Sequence, residues 1–273
     1  MPATVLVFVV ILSLLGSALS ARAETIGARY EIYTGGFKSL TIQARATSDD
    51  RTYGVEASLR TTGVIDWILR YAQKVEGRGE TGGAAIASPL RYVADGTFFG
   101  THRISRVDFQ RDGSISTTLH PANEEDDRTP VPEALKQGTL DPLSVFIALN
   151  RAAAGRGGPC HDTVPVYDGR RRYNLVIEDD GIGAVEKTDY TVFSGPALRC
   201  KVHMERLAGF QRNPRFNNQP PRVSIVYVAR FGERGWWLPV RLESESGFGY
   251  VIGHLVEVDA PVRPLGRGTR PAS

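Results

Sequence analysis

The sequence predicts a mainly β protein: a curved antiparallel sheet or half-barrel with one or two short helices. Three observations lead there. Apolar and polar residues alternate with period two over many short runs, Asp-Gly dipeptides punctuate those runs, and helical patterning is sparse. With 41% hydrophobic and 23% charged residues, the 273-residue chain has the composition of an ordinary globular protein and enough length to bury a core.

Val5 to Leu19 is almost entirely apolar, and Ala21-Arg22-Ala23 then precedes Glu24. A short apolar stretch before an Ala-x-Ala site reads as a cleavable secretory signal over residues 1–23, although no Lys or Arg precedes it. The stretch is about 15 residues, short of the ~20 that span the hydrocarbon layer, and no later segment approaches that length. No Cys lies near the cleavage site to carry a lipid. The expectation is an exported, periplasmic protein, soluble once processed, beginning near Glu24 and lacking a transmembrane segment.

In the mature chain, Leu40, Ile42, Ala44 and Ala46 alternate with Thr41, Gln43, Arg45 and Thr47. Tyr53, Val55, Ala57 and Leu59 alternate with Gly54, Glu56, Ser58 and Arg60. Such alternation turns one row to a core and the other to water, as in half-buried antiparallel strands. Asp49-Asp50 falls where a hairpin between the two runs would turn. Asp-Gly pairs at 95–96, 112–113, 168–169 and 180–181 predict four more tight turns, since Gly tolerates positive φ and Asp can bond its own backbone. Further β-like runs are Tyr173–Ile177, Tyr190–Phe193, Arg199–Glu205, Val223–Phe231, Leu238–Glu243 and Tyr250–Val258.

Asp141-Pro142 opens a run through Leu143, Phe146, Ile147 and Leu149 that ends near Gly155. Asp suits an N-cap, and Pro suits the first helical position, where its missing N–H costs nothing. Val64 to Tyr71 is a second, shorter amphipathic stretch. Residues 121–137, with Glu124, Glu125, Asp126 and Asp127 together, read as a solvated loop within one domain spanning 24–260. The Pro- and Arg-containing tail, 261–273, reads as disordered.

A net charge of only +3, with basic and acidic residues interspersed, argues against nucleic acid as a partner. The chain has two cysteines, Cys160 and Cys200, and export makes an even pair a disulfide candidate first. Cys160-His161 with Cys200-x-x-His203 also supplies the ligand types of a structural zinc site, although an adjacent Cys-His pair chelates awkwardly. Arg170 and Arg172 are candidate anion contacts, because guanidinium offers forked donors to phosphate or carboxylate. On a strand they share one face while Arg171 joins Tyr173 on the other, so a hairpin entering a polar-faced strand explains them equally well. His102, His120 and His254 stand alone. Of Trp236 and Trp237, one ring is expected in the core and the other at a sheet edge or groove mouth. No Gly-x-Ser-x-Gly, His-Glu-x-x-His or phosphate-cradling Gly loop is present. No catalytic, cofactor-binding or metal-binding residue can therefore be assigned.

One long pattern goes further. Asp141-Pro142-Leu143-Ser144, Cys160-His161-Asp162, Pro165 through Tyr173, Tyr190, Ser194 through Val202 and Leu238-Pro239-Val240-Arg241 together resemble domain of unknown function 3108, a family of exported bacterial proteins. The resemblance covers most of the mature chain and implies a periplasmic location and the Cys160–Cys200 bond, but no catalytic residue. At fold level the layout also resembles the half-barrels of lipoprotein-localisation carriers, which hold acyl chains against an apolar concave face. The expected function is a non-enzymatic binding or scaffolding module for a lipid, lipoprotein or envelope component. The alternative is an envelope hydrolase whose site forms only in three dimensions. What lines the concave face tells them apart: Leu40, Ile42, Val55 and Leu59 would form a groove wherever the helix leaves them uncovered.

Overall fold

A computed structural model describes residues 23–82, 86–122, 127–212, 223–246, 249–263 and 265. The apolar run at Val5–Leu19, the acidic residues Glu124 to Asp126 and most of the predicted tail lie outside these residues.

Seven strands, β1 (Glu24–Thr34), β2 (Phe37–Ser48), β3 (Thr52–Thr61), β4 (Ala72–Glu80), β5 (Ser88–Phe98), β6 (Thr101–Phe109) and β7 (Ile115–His120), run up and down in chain order. Helix α1 (Val64–Leu69) joins β3 to β4. After α2 (Glu133–Lys136) and α3 (Pro142–Ala153) come β8 (Asp162–Tyr167), β9 (Arg172–Val185), β10 (Gly195–Ala208), β11 (Ser224–Phe231), β12 (Trp236–Ser246), β13 (Gly249–Val258) and β14 (Val262–Arg263). Because β1 pairs with β13, the two meanders form one antiparallel sheet in the order β7-β6-β5-β4-β3-β2-β1-β13-β12-β11-β10-β9-β8, with β14 added on β11. The edge strands β7 and β8 do not pair; side chains such as the hydroxyls of Thr117 and Tyr167, 3.1 Å apart, bridge them.

The predicted hairpin at Asp49-Asp50 forms, its Asp49 carboxylate accepting from the backbone N–H of Arg51 and Thr52 at 2.8 and 2.7 Å. Two of the four Asp-Gly pairs turn the chain, at 112–113 and 168–169. The other two correct the expectation. Asp95-Gly96 lies inside β5, where Gly96 packs so closely that a Cβ would stand 2.5 Å from the Ala72 carbonyl. Asp180-Gly181 lies inside β9 beside a register shift against β10. Tyr190–Phe193 is not a strand; it is a connection that inserts the buried Phe193 into the core. Within the predicted disordered tail, Val262 and Arg263 pair with Phe231 and Arg230.

Helix α3 begins as predicted. Asp141, fully buried, accepts from the N–H of Leu143 and Ser144 at 2.9 and 3.0 Å and from the Ser144 hydroxyl. Ser144 also meets the Tyr53 hydroxyl at 2.6 Å. The helix comes this close because β4 offers Gly77 and Gly79: a Cβ on Gly77 would lie 3.1 Å from Asp141 Oδ1, and one on Gly79 2.4 Å from the Tyr53 hydroxyl. Each of four apolar clusters contains α3 residues: Phe146 and Ile147 in one, Leu143 in the next, Ala153 in a third and Val145 in the last. A helix apolar on every side belongs in the middle of a fold. Here the sheet wraps around it.

Candidate functional site at the open end of the sheet

The inner face of the sheet is filled at one end only. Twelve residues of α3 extend about 18 Å. The twelve of β2 extend roughly 40 Å. The helix lies toward the ends of β3 and β4 that carry Tyr53 and Gly79, and its Arg151 donates to the Thr81 carbonyl at 3.0 Å. There Phe146 stacks on Trp236, with ring centroids 5.7 Å apart, and Asn150 bonds both the N–H and the carbonyl of Trp237. Both tryptophans are buried, which corrects the expectation that one would lie at an edge or groove mouth.

Toward the other end α3 no longer covers these strands, and the short α1 lies at the tips of β2 and β3. Leu59 of β3 pairs with Ile42 of β2, which pairs with Tyr30 of β1; Leu40 pairs with Ile32. All five are only half-buried, whereas Val55, two pairs nearer the helix, is buried. Ile32, Leu40 and Ile42 belong to none of the four clusters. The predicted apolar row thus splits: Val55 is core, Leu59 packs at the margin of the cluster around Val75 and Tyr92, and Leu40 and Ile42 line an uncovered strip.

Across β4 the strip meets a polar cavity. Gln73 pairs with Leu59 on one side and with Gly96 on the other, and both Gln73 and Gly96 line a cavity of about 290 Å³. Its wall includes Tyr71, Tyr92, Phe98, Ser105 and the arginines Arg103, Arg128, Arg170 and Arg171, with Asp168 the one acidic residue among the described residues that line it. The turn at Asp168-Gly169-Arg170-Arg171 builds this wall. The Asp168 carboxylate accepts from the N–H of Arg170 and Arg171 at 2.9 and 2.7 Å and from Arg171 Nε at 2.8 Å. Gly169 has φ 90°, and a Cβ there would stand 2.1 Å from the Ser105 hydroxyl, so only glycine fits. Ser105 donates to the Asp168 carbonyl at 2.9 Å, tying the turn to β6. The charge of Asp168 is the first cause that raises the pKa of Arg171. Burial raises Tyr71 and Tyr92, so both phenols stay neutral donors. Arg103 lies over the Phe98 ring at 5.8 Å, and Arg128 donates to the Gly209 carbonyl at 3.2 Å.

The two candidate anion contacts part company here. Arg170 sits in the turn, off the strand, and lines the cavity. Arg172 begins β9 and is buried, donating to the carbonyls of Leu135 and Tyr173 and to Asn174 Oδ1. Arg103, Arg128 and Arg171 went unrecognised because they come from three separate segments. Cys160 and Cys200 are joined, S–S 2.01 Å, and buried beside Ala153, Leu198 and Trp237. With both sulfurs bonded, no thiolate faces His161 or His203, and no group of three His, Cys, Asp or Glu among the described residues is placed to hold a metal. His102 meets Asp95 on the outer face at 2.7 Å, and His254 is buried against Tyr33 and Tyr190.

A family model described as "Protein of unknown function (DUF3108)" matches residues 29–256. The chain belongs to this family. In this DUF3108 protein the matched span runs from β1 to β13 and so includes the strip, the arginine cavity and the disulfide. The crystal structure of a β-barrel-like protein of domain of unknown function DUF1849 from Brucella abortus is similar at 12% identity and a TM-score of 0.49, covering 89% of this chain and 100% of that one. No curated protein matches the sequence.

Proposed function

We propose that this protein is a non-enzymatic module of the bacterial envelope that binds an amphiphile. An acyl chain lies on the strip at Ile32, Leu40 and Ile42, and an anionic head group meets the arginines of the adjoining cavity. One observation carries the reading: the half-covered inner face, where an apolar row too exposed to be core abuts four arginines. Apolar lining with a few convergent polar groups is how small-molecule sites are generally built, the first supplying affinity and the second orientation. Arginine's planar fork suits carboxylate or phosphate. Among the described residues that line the cavity, the serine, Ser105, donates to a backbone carbonyl rather than to a base.

Export belongs to the same proposal, supported by the apolar run and the Ala-x-Ala site ahead of Glu24, the first residue of β1. Native mass spectrometry of the protein recovered from the periplasm tests both parts. The expected species begins at or near Glu24 and carries a co-purified lipid lost on partial unfolding. Retention of residues 1–23 contradicts export. A folded protein free of lipid that takes up no anionic amphiphile contradicts the binding reading.

A further inference from the structure

The up-and-down topology brings the connections at Gly35-Gly36, 62–71, 99–100, 168–171 and 209–212 to one end of the sheet, the end where the strip and cavity open. Hydrogen bonds tie neighbouring tips together, Gly35 N–H to the Tyr250 carbonyl at 2.9 Å and Phe99 N–H to the Leu69 carbonyl at 3.2 Å. These tips carry aromatic rings in water. Trp67 is 88% exposed, Phe37 69%, Tyr250 55% and Phe99 45%. Tyr190, 48% exposed, packs toward the same end, its ring 6.0 Å from Tyr33 and edge-on to His254 at 5.1 Å.

Backbone strain falls at the same place. Among the described residues, the two non-glycine positions with positive φ are Arg70, at 41°, and Phe99, at 49°, on adjoining tips. Arg70 is the left-handed C-cap of α1 and Phe99 opens the Phe99-Gly100 turn of the β5–β6 hairpin, positions normally held by Gly or Asn. Here the strain presents a phenyl ring and a guanidinium to solvent.

From this we infer that the rim is a docking surface for an anionic lipid bilayer, with Phe37, Trp67, Phe99 and Tyr250 entering the head-group region and Arg70 meeting lipid phosphates. Trp and Tyr favour the membrane–water interface because one part of the ring system is apolar and another can hydrogen-bond. Basic side chains beside them add attraction to anionic leaflets. The charge at the rim is complementary to such a surface. Arg70 is exposed and the mouth behind it is arginine-lined, while Asp66 accepts from Thr61 Oγ1 at 2.6 Å and Asp168 is paired with Arg171; Glu245, opposite Tyr250, is the exposed acid on this rim. The inference rests on the amphiphile reading and extends it, since a chain leaving a bilayer would pass from the rim into the strip without crossing water.

The test is flotation on vesicles of phosphatidylglycerol with phosphatidylethanolamine, using the chain from Ala23 onward so that Val5–Leu19 cannot anchor it. Every element of the described fold lies within that chain. Wild type is expected to float at low salt, and brominated acyl chains should quench Trp67 selectively, because Trp236 and Trp237 are buried. Trp67→Ser with Phe99→Gly, the latter relieving strain, should lower the bound fraction about tenfold or more. Arg70→Glu should lower it about fivefold. Ile42→Asp should float like wild type while losing free fatty acid, which separates failure of the strip from failure of the rim. Equal flotation of wild type and the double variant, or an unquenched Trp67, overturns the inference. So does a wild-type dimer that the double variant abolishes without any change in lipid binding, which would assign the rim to a second copy.

Discussion

Two halves of one inner surface, made by the same strands, behave differently. Along β3, Tyr53 and Val55 lie under α3 and are buried, while Leu59 farther along is half-exposed. Along β2, Ala46 is buried, whereas Ile42 and Leu40 are not. Both halves share the alternation of apolar and polar residues. The difference is α3, about 18 Å long against the roughly 33 Å of β3. A β face must bury its apolar row against something. In the helix-filled half that partner is internal; in the open half it is the proposed ligand.

The same substitution should therefore act differently in the two halves. Ile147→Asp places an unpaired charge at a site 1% exposed and should cost more than about 4 kcal/mol, enough to unfold the protein. Ile42→Asp should cost about 1–2 kcal/mol and leave a cooperative transition. Urea titration of both measures the contrast. Equal costs would mean that the strip is core.

Cys200→Ser comes next. The bond closes a loop between residues 40 apart, worth about 4 kcal/mol in the chain-entropy model. Unreduced, unfolded wild type should show no thiol to a labelling reagent. Two labelled thiols would remove the bond from the account. Asp141→Ala strips the cap from α3 and leaves the N–H groups of Leu143 and Ser144 and the Ser144 hydroxyl each without the acceptor Asp141 supplies, an expected loss of about 2–4 kcal/mol. Burial raises the Asp141 pKa, opposed by the donors it accepts from, so a neutral acceptor is tolerated there and Asp141→Asn should recover most of the loss. An Asn variant as weak as the Ala variant would show that the charge itself matters.

The smallest effect is a pH dependence. Burial, and then the charge of Arg241, hold the His254 imidazole below its usual range, with Glu243 and Glu31 pulling the other way. Tyr33 and Tyr190 pack on the ring, and its buried Nδ1 has no hydrogen-bond partner. The folded state thus prefers neutral imidazole, while the unfolded chain takes up its proton near pH 6.5. This contribution is present above about pH 6.5 and is lost as pH falls through the lowered folded value. His254→Gln should flatten the stability profile over that interval; an unchanged slope would place the acid sensitivity elsewhere.

Local chemistry was legible in the sequence wherever local chemistry decides. The β2–β3 hairpin showed in its alternation, and α3 in Asp141-Pro142. Asp-Gly pairs misled at 95–96 and 180–181 because the dipeptide permits a turn without requiring one: hydrogen-bonded neighbours on both sides carry β5 straight through Gly96. Tyr190–Phe193 has strand-like residues, yet its backbone does not join the sheet, and Phe193 fills the core instead. The arginine cavity was half legible. Arg170 stood out in its triplet, but alternation grouped it with Arg172, since nothing local shows that the Asp168 carboxylate curls Arg170 and Arg171 off the strand. Arg103 and Arg128 reach the cavity from β6 and from the connection ahead of α2, a meeting only the curvature of the folded sheet arranges.

Titration of the purified protein with a fluorescent anionic fatty acid, alongside Ile42→Asp and Arg170→Glu, tests the central claim most directly. The account predicts saturable one-to-one binding to wild type and none to Ile42→Asp, with both proteins folded. Arg170→Glu should weaken the anionic ligand about tenfold or more while sparing a neutral alcohol of equal chain length. Binding that survives Ile42→Asp unchanged, or an absence of binding to folded wild type, would contradict the claim that the open half of the sheet is a ligand site.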